Sequence, residues 1–201
     1  MAHIGFHYLD ECPDIIIEKM LSDIEGDNLE IRVTKYHKIV YGAIEWTIPT
    51  IFTAYILKTY FDVFLKEICK DHYHKLNTWL KKTITTSRLV KVHTIASSLS
   101  PDKIDKSYHQ SKSISLVIQI PSGKFIKVLF DDNLDNQEWE DALDALMKYV
   151  YDHYNNERDD YLASCLTNID LSTNKDIFAI IDQKTQKWVF YDTKMMIKNG
   201  K

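Results

Sequence analysis

The sequence predicts an α+β fold, an antiparallel sheet of one strand and two hairpins packed against one long central helix and a second amphipathic helix. Three observations lead there. The run from Asn136 to Asn156 repeats its apolar residues at helical spacing. Two segments, SISLVIQIPSGKFIKVLFDD and DIFAIIDQKTQKWVFYD, alternate about turn sequences, as hairpins do. Between Pro49 and Pro101 neither proline nor glycine interrupts the chain.

The first element is a short helix over residues 12–26, where Ile15, Ile16, Met20 and Ile24 give a partly apolar face closed by Gly26. LEIRVTKYHKIVYGAIEW follows, with Leu29, Ile31 and Val33 on one side, and reads as a strand.

Next comes the apolar stretch GAIEWTIPTIFTAYILKTYFDVFL. Its longest uncharged part, Trp46 to Leu57, has 12 residues, whereas a membrane-spanning helix needs about 20. Pro49 is suited to a first helical turn, so the long helix is expected from there to about Thr83. Phe52, Ile56, Tyr60, Phe64, Ile68, Leu76, Trp79 and Leu80 form its stripe.

In the first hairpin Ile114, Leu116, Ile118 and Ile120 answer Ile126, Val128 and Phe130 across PSGK. The second amphipathic helix carries Trp139, Leu143, Leu146 and Val150, with Asn133 or Asn136 as its cap and Glu138, Glu140 and Asp141 at its positive end. The last hairpin turns at Asp182 to Lys187. A ferredoxin-like wiring is compatible with this order. The whole chain, 1–201, reads as a single α+β domain, with residues 97–113 as a mobile loop.

Composition narrows the function. The 201 residues are 45% hydrophobic and 27% charged, as in ordinary globular proteins. A net charge of −4 gives no general attraction to nucleic acid or anionic lipid, so neither is an expected partner. Cys12, Cys69 and Cys165 are widely spaced and odd in number, which argues against a disulfide framework or a cysteine zinc site. The opening MAHIGFHYLDECPD lacks the basic and apolar regions of a signal peptide, so a cytoplasmic location is expected. Walker, Rossmann and kinase glycine patterns and the Gly-x-Ser-x-Gly elbow are absent, and no cofactor is predicted.

Four groups of residues have chemical potential. Glu67, Asp71 and His74 fall at i, i+4 and i+7 of a helix and could share a metal, with His72 on another face; the competing reading is a solvated helix face. Glu45 stands before the apolar run, either bonding free backbone N–H groups at a helix start or, desolvated, serving with Glu67 as a catalytic carboxylate. Lys70, Lys75, Trp79 and Arg88 line the basic segment 66–91, where a nucleotide or other anion could bind. Asp176 and the Asp182-Gln183-Lys184 run offer a carboxylate-and-lysine arrangement of the nuclease kind, in a place where a turn collects such residues anyway.

Charge segregation is the strongest global signal. Residues 66–91 hold seven Lys or Arg against Glu67 and Asp71, a balance of +5. Residues 131–160 hold eleven Asp or Glu against Lys148 and Arg158, a balance of −9. The favoured function is therefore a small interaction or regulatory protein without catalytic motif, binding a protein partner or a second copy of itself through charged surface. The alternatives are a ligand-sensing module that takes a small anion at the basic helix, and a metal-dependent hydrolase or nuclease.

Overall fold

The computed structural model describes residues 2–10, 12–24, 28–37, 50–65, 70–88, 110–169 and 176–199. Their order is β1 (Ile4–Leu9), α1 (Asp14–Ser22), β2 (Ile31–Tyr36), β3 (Phe52–Ile56), α2 (Lys58–Phe64), α3 (Lys70–Arg88), β4 (Gln110–Gln119), β5 (Phe125–Asp131), α4 (Asn136–Tyr154), α5 (Tyr161–Leu166), β6 (Asp176–Asp182), β7 (Lys187–Tyr191) and α6 (Thr193–Asn199).

The strands form one seven-stranded sheet in the order β2-β1-β3-β4-β5-β6-β7. It is mixed, which corrects the antiparallel sheet expected from sequence. The pairs β1/β2, β3/β4 and β5/β6 are parallel, while β1/β3, β4/β5 and β6/β7 are antiparallel. The reason is geometric. A helix lying between two neighbouring strands returns the chain to the end it started from, so those strands must run the same way. α1 makes that return between β1 and β2, α2 with α3 between β3 and β4, and α4 with α5 between β5 and β6.

The long helix from Pro49 is the second correction. Phe52–Ile56 is a central strand, and the helical part is divided into α2 and α3. Phe52 and Ile56 are four apart, a spacing that fits a helical stripe and, being even, one face of a strand equally well. Phe52, Ala54 and Ile56 point into the main core. Thr53 lies on the other face, buried with Thr50 and Ser115 in a network of hydroxyls 2.9–3.2 Å apart. A strand with both faces covered has the continuous apolar look of a buried helix. Pro49, Gly26 and most of the expected loop, residues 97–109, lie outside the described residues; residues 110–113 of that loop belong to β4.

One face of the sheet carries the main core. Ile4 and Phe6 from β1, Leu116 and Ile118 from β4, Ile126 and Val128 from β5 and Ile177 from β6 meet the apolar sides of α1 to α5. Each such side chain contributes about 1.5–3 kcal/mol by leaving water. On the other face α6 sets Met196 against Leu129 and Phe178. The sequence pattern gives no distinct signal for β1, α5 or α6.

Both hairpins form where expected. In the first, Gly123 sits at φ +82 and its N–H donates to Ile120 O at 2.9 Å. In the second, Asp182 Oδ1 accepts from Lys184 N at 2.8 Å and Thr185 N at 3.2 Å. The cap of α4 is Asp135 rather than Asn133 or Asn136: its carboxylate accepts from Glu138 N at 2.9 Å, and Glu138 Oε2 accepts from Asp135 N at 2.8 Å. This reciprocal box satisfies two N–H groups that would otherwise be orphaned. Asp160 starts α5 by accepting from Ala163 N, and its second oxygen meets His153 Nδ1 at 2.6 Å.

Candidate functional site

The two oppositely charged helices seen in the sequence lie side by side and neutralise each other in part. Asp144 of α4 accepts from Lys81 Nζ at 2.7 Å and from Asn77 Nδ2 at 2.5 Å, both on α3. Arg88, at the end of α3, donates to Asn136 Oδ1 at 2.6 Å and to the carbonyls of Asp132 and Leu134 at 3.3 and 2.5 Å. Lys82 turns the other way, to Asp23 at 3.3 Å. Much of the positive charge of α3 is thus engaged within the fold, which weakens the support for an anion site there.

The proposed anion-binding residues are spread accordingly. Trp79 is 1% exposed and its indole N–H donates to Met20 O at 2.6 Å, so it belongs to the core between α1 and α3. Arg88 holds the β5–α4 loop. Lys75 is exposed on α3, and the side chain of Lys70 lies outside the described residues. Of the three whose side chains are described, Trp79 is buried, Arg88 is bound to the β5–α4 loop and Lys75 is exposed.

Of the suggested metal ligands, Asp71 and His74 stand exposed on α3, while Glu67 lies outside the described residues, as does the candidate catalytic carboxylate Glu45. His72 lies on a different face from Asp71 and His74: its ring stacks on Phe64 at 4.5 Å and its carbonyl accepts from Tyr60 Oη at 2.9 Å. Among the described residues no group of three His, Cys, Asp or Glu is placed to share a metal ion. Asp182 is occupied by the β6–β7 turn, and Asp176 is exposed at the start of β6.

The seam between α3 and α4 opens on a patch that combines aromatic and acidic groups. Tyr73 of α3 meets Tyr151 of α4 edge-on, ring centroids 5.7 Å apart at 66°. His74 adjoins Tyr73 at 5.9 Å. Tyr151 is 39% exposed, one of the few large apolar side chains so displayed among the described residues. Asp152, its side chain only 16% exposed, is bonded to Lys148 Nζ at 2.5 Å. Burial, followed by the fields of Asp144, Asp152 and Tyr151, pushes the Tyr73 phenol up to about 12.

Farther along α4, Asp141 is exposed beside Gln137, and Glu157 and Asp159 extend the acidic surface past the helix end. Tyr151, Asp144 and Asp152 were not singled out from sequence, although a helical projection would have found them. Positions 144, 148, 151, 152 and 155 recur at i, i+4, i+7, i+8 and i+11, on the side away from Leu143, Leu146 and Val150.

No family model, curated protein or solved structure matches this chain. Among the described residues no helix is long and apolar enough to cross a membrane.

Proposed function

We propose that the chain is a binding protein without a reaction of its own, and that it docks a basic protein partner on the acidic side of α4 and the loop that follows. One observation carries this reading. The outward positions of α4 and of residues 155–159 expose Asp141, Asp144, Glu157 and Asp159 with Lys148 and Arg158 among them, a net negative surface, and an exposed tyrosine rather than an apolar patch. Interfaces favour that composition, because tyrosine offers contact area at small entropic cost while charges choose the partner and speed the encounter.

The internal bonds of Asp144 leave this surface acidic, since Asp141, Glu157 and Asp159 have no basic side chain bound to them among the described contacts. Exposed charges of this kind contribute to association rate and selectivity more than to fold stability.

The test uses two labelled peptides of equal length, one rich in Lys and Arg and one rich in Asp and Glu, titrated with the whole chain at low and high salt. Binding of the basic peptide alone, weakening as salt rises, supports the reading. Equal binding of both peptides, or binding indifferent to salt, refutes it.

A further inference from the structure

β2 lies at the end of the sheet, and among the described residues β1 is the one strand beside it. A strand so placed depends on a single ladder and on the ties at its two ends, where opening begins. Each tie includes a histidine, and the two are chemically unlike. At the start of β2, His3 grips Glu30 from both sides: the Glu30 carbonyl accepts from His3 N at 2.8 Å, and Glu30 N donates to His3 Nδ1 at 3.0 Å. At the far end, Asp10 N donates to the Tyr36 carbonyl at 2.9 Å, and His37 Nδ1 meets the Asp10 carboxylate. We infer that His3 is a pH-operated clasp on this edge strand, holding the start of β2 when neutral and letting it go when protonated, while the far end stays tied.

The chemistry follows from the direction of one hydrogen bond. A ring nitrogen that accepts from a backbone N–H keeps its lone pair there, so His3 is neutral with its proton on Nε2. An imidazolium donates from both nitrogens, which turns two N–H groups against each other and cancels the bond. The partner of His37 is a carboxylate, which accepts from Nδ1–H whether the ring is neutral or charged. Acid therefore opens the start of β2 and leaves its end in place.

The surroundings seat His3 for this role. Its carbonyl accepts from Leu57 N at 3.0 Å, and its ring meets Phe64 of α2 edge-on at 5.2 Å. The charged and titratable groups about it are the Glu30 carboxylate at the start of β2, the amino-terminal charge, and His72 of α3, which stacks on the same Phe64 ring at 4.5 Å. Burial, opposed by the field of Glu30 and aided by the amino-terminal charge, holds the His3 imidazole below its ordinary value. The fold thus favours the neutral ring. Its contribution is complete above about pH 6.5 and is lost as pH falls through the folded value. Just before the clasp, Asn28 stands at φ +68, a left-handed turn that asparagine tolerates and about which the freed segment can swing. Leu29 and Ile31, which pack at the margin of the main core, are the side chains that loosen with it.

Amide hydrogen exchange tests the clasp, read by NMR on the whole isotope-labelled chain at about pH 7.5 and about pH 5, on either side of the histidine range. Rates are normalised to the intrinsic rate at each pH. Protection of the Glu30 amide is expected to fall about fivefold at the lower pH, the equivalent of one ordinary hydrogen bond, while the Asp10 amide keeps its protection. His3→Asn puts an amide oxygen where Nδ1 stood, an acceptor that does not titrate, and should protect Glu30 equally at both pH values. His3→Ala should leave Glu30 unprotected at both, with circular dichroism verifying that each variant is folded.

Three results would overturn the clasp. One is a Glu30 amide whose protection ignores pH in the wild type. Another is an equal fall in the wild type and in His3→Asn, which would place the response elsewhere. The third is an imidazole spectrum showing the His3 proton on Nδ1 at the higher pH.

Discussion

Arg88 and Leu134 are joined across the seam, the guanidinium Nη2 of the last turn of α3 donating to the Leu134 carbonyl at 2.5 Å. With its bonds to Asn136 and Asp132 this makes Arg88 the tie between the end of α3 and the start of α4. Arg88→Ala is expected to lower stability by about 2 kcal/mol, the usual scale for losing hydrogen bonds from a charged donor. Arg88→Lys should recover only a fraction, since an ammonium lacks the fork. Urea denaturation measures both. An Arg88→Ala protein as stable as the wild type would show that the residue has no part in the fold.

The capping box at the start of α4 yields a second expectation. Asp135→Ala should cost about 1 kcal/mol, and Glu138→Ala somewhat less. The double variant should cost less than the two together, because each partner's bond is made to the same turn. Strict additivity in a thermal-melt double-mutant cycle would contradict the reciprocal arrangement.

Gly123 tests backbone conformation in isolation. No atom lies within 4 Å of where a Cβ would stand, so any effect of Gly123→Ala comes from its φ of +82. A loss of about 1 kcal/mol is expected. Gly123→Asn should lose less, because asparagine tolerates that region better than alanine. Equal losses in chemical denaturation would contradict this account.

Alkaline pH should expose the tyrosines. Burial pushes Tyr60 and Tyr154 well above the ordinary phenol range, with Tyr73 and Asp62 respectively adding to it, and lifts Tyr73 to about 12. These groups keep their protons longer in the fold than in the unfolded chain. The stability they contribute is therefore fully present below about pH 10 and is lost as pH rises from there through the folded values. Burial also raises Tyr55, Tyr161 and Tyr191, so ultraviolet titration of phenolate should show a first wave near pH 10 that omits these six and a second wave accompanying unfolding. A single wave comprising all twelve tyrosines, with the fold intact, would refute the assignment.

The elements with a single unambiguous period were readable before the fold was known. α4 repeats Leu143, Leu146 and Val150 over nineteen residues, and both hairpins carry turn chemistry at the right place. β3 was not readable, since Phe52 and Ile56 satisfy two periods at once and the strand is covered on both faces. β1 gives no such signal, because IGFHYL, with buried Ile4, Phe6 and Tyr8, has no turn residues marking where it begins. The parallel pairs were implied by helices between strands, but only once β1 and β3 were recognised as strands. For the site, charge segregation pointed to α3 and α4 together. It could not tell that Lys81 would meet Asp144, or that Trp79 would be spent on Met20, since both depend on which sides of the helices face each other.

Three of the four tryptophans share a habit whose consequence is optical. Trp79, Trp139 and Trp188 are each nearly sealed from water, and each indole N–H ends on a carbonyl, those of Met20, Asp131 and Ala142. Each carbonyl belongs to a different segment, so these three fluorophores report the seating of helices on strands. Their emission should lie to the blue of free tryptophan and resist acrylamide. A partner settling over Tyr151 would leave that signal nearly unchanged, whereas loosening of the layers would redden it, so one cuvette measurement distinguishes a variant that fails to bind from one that fails to fold.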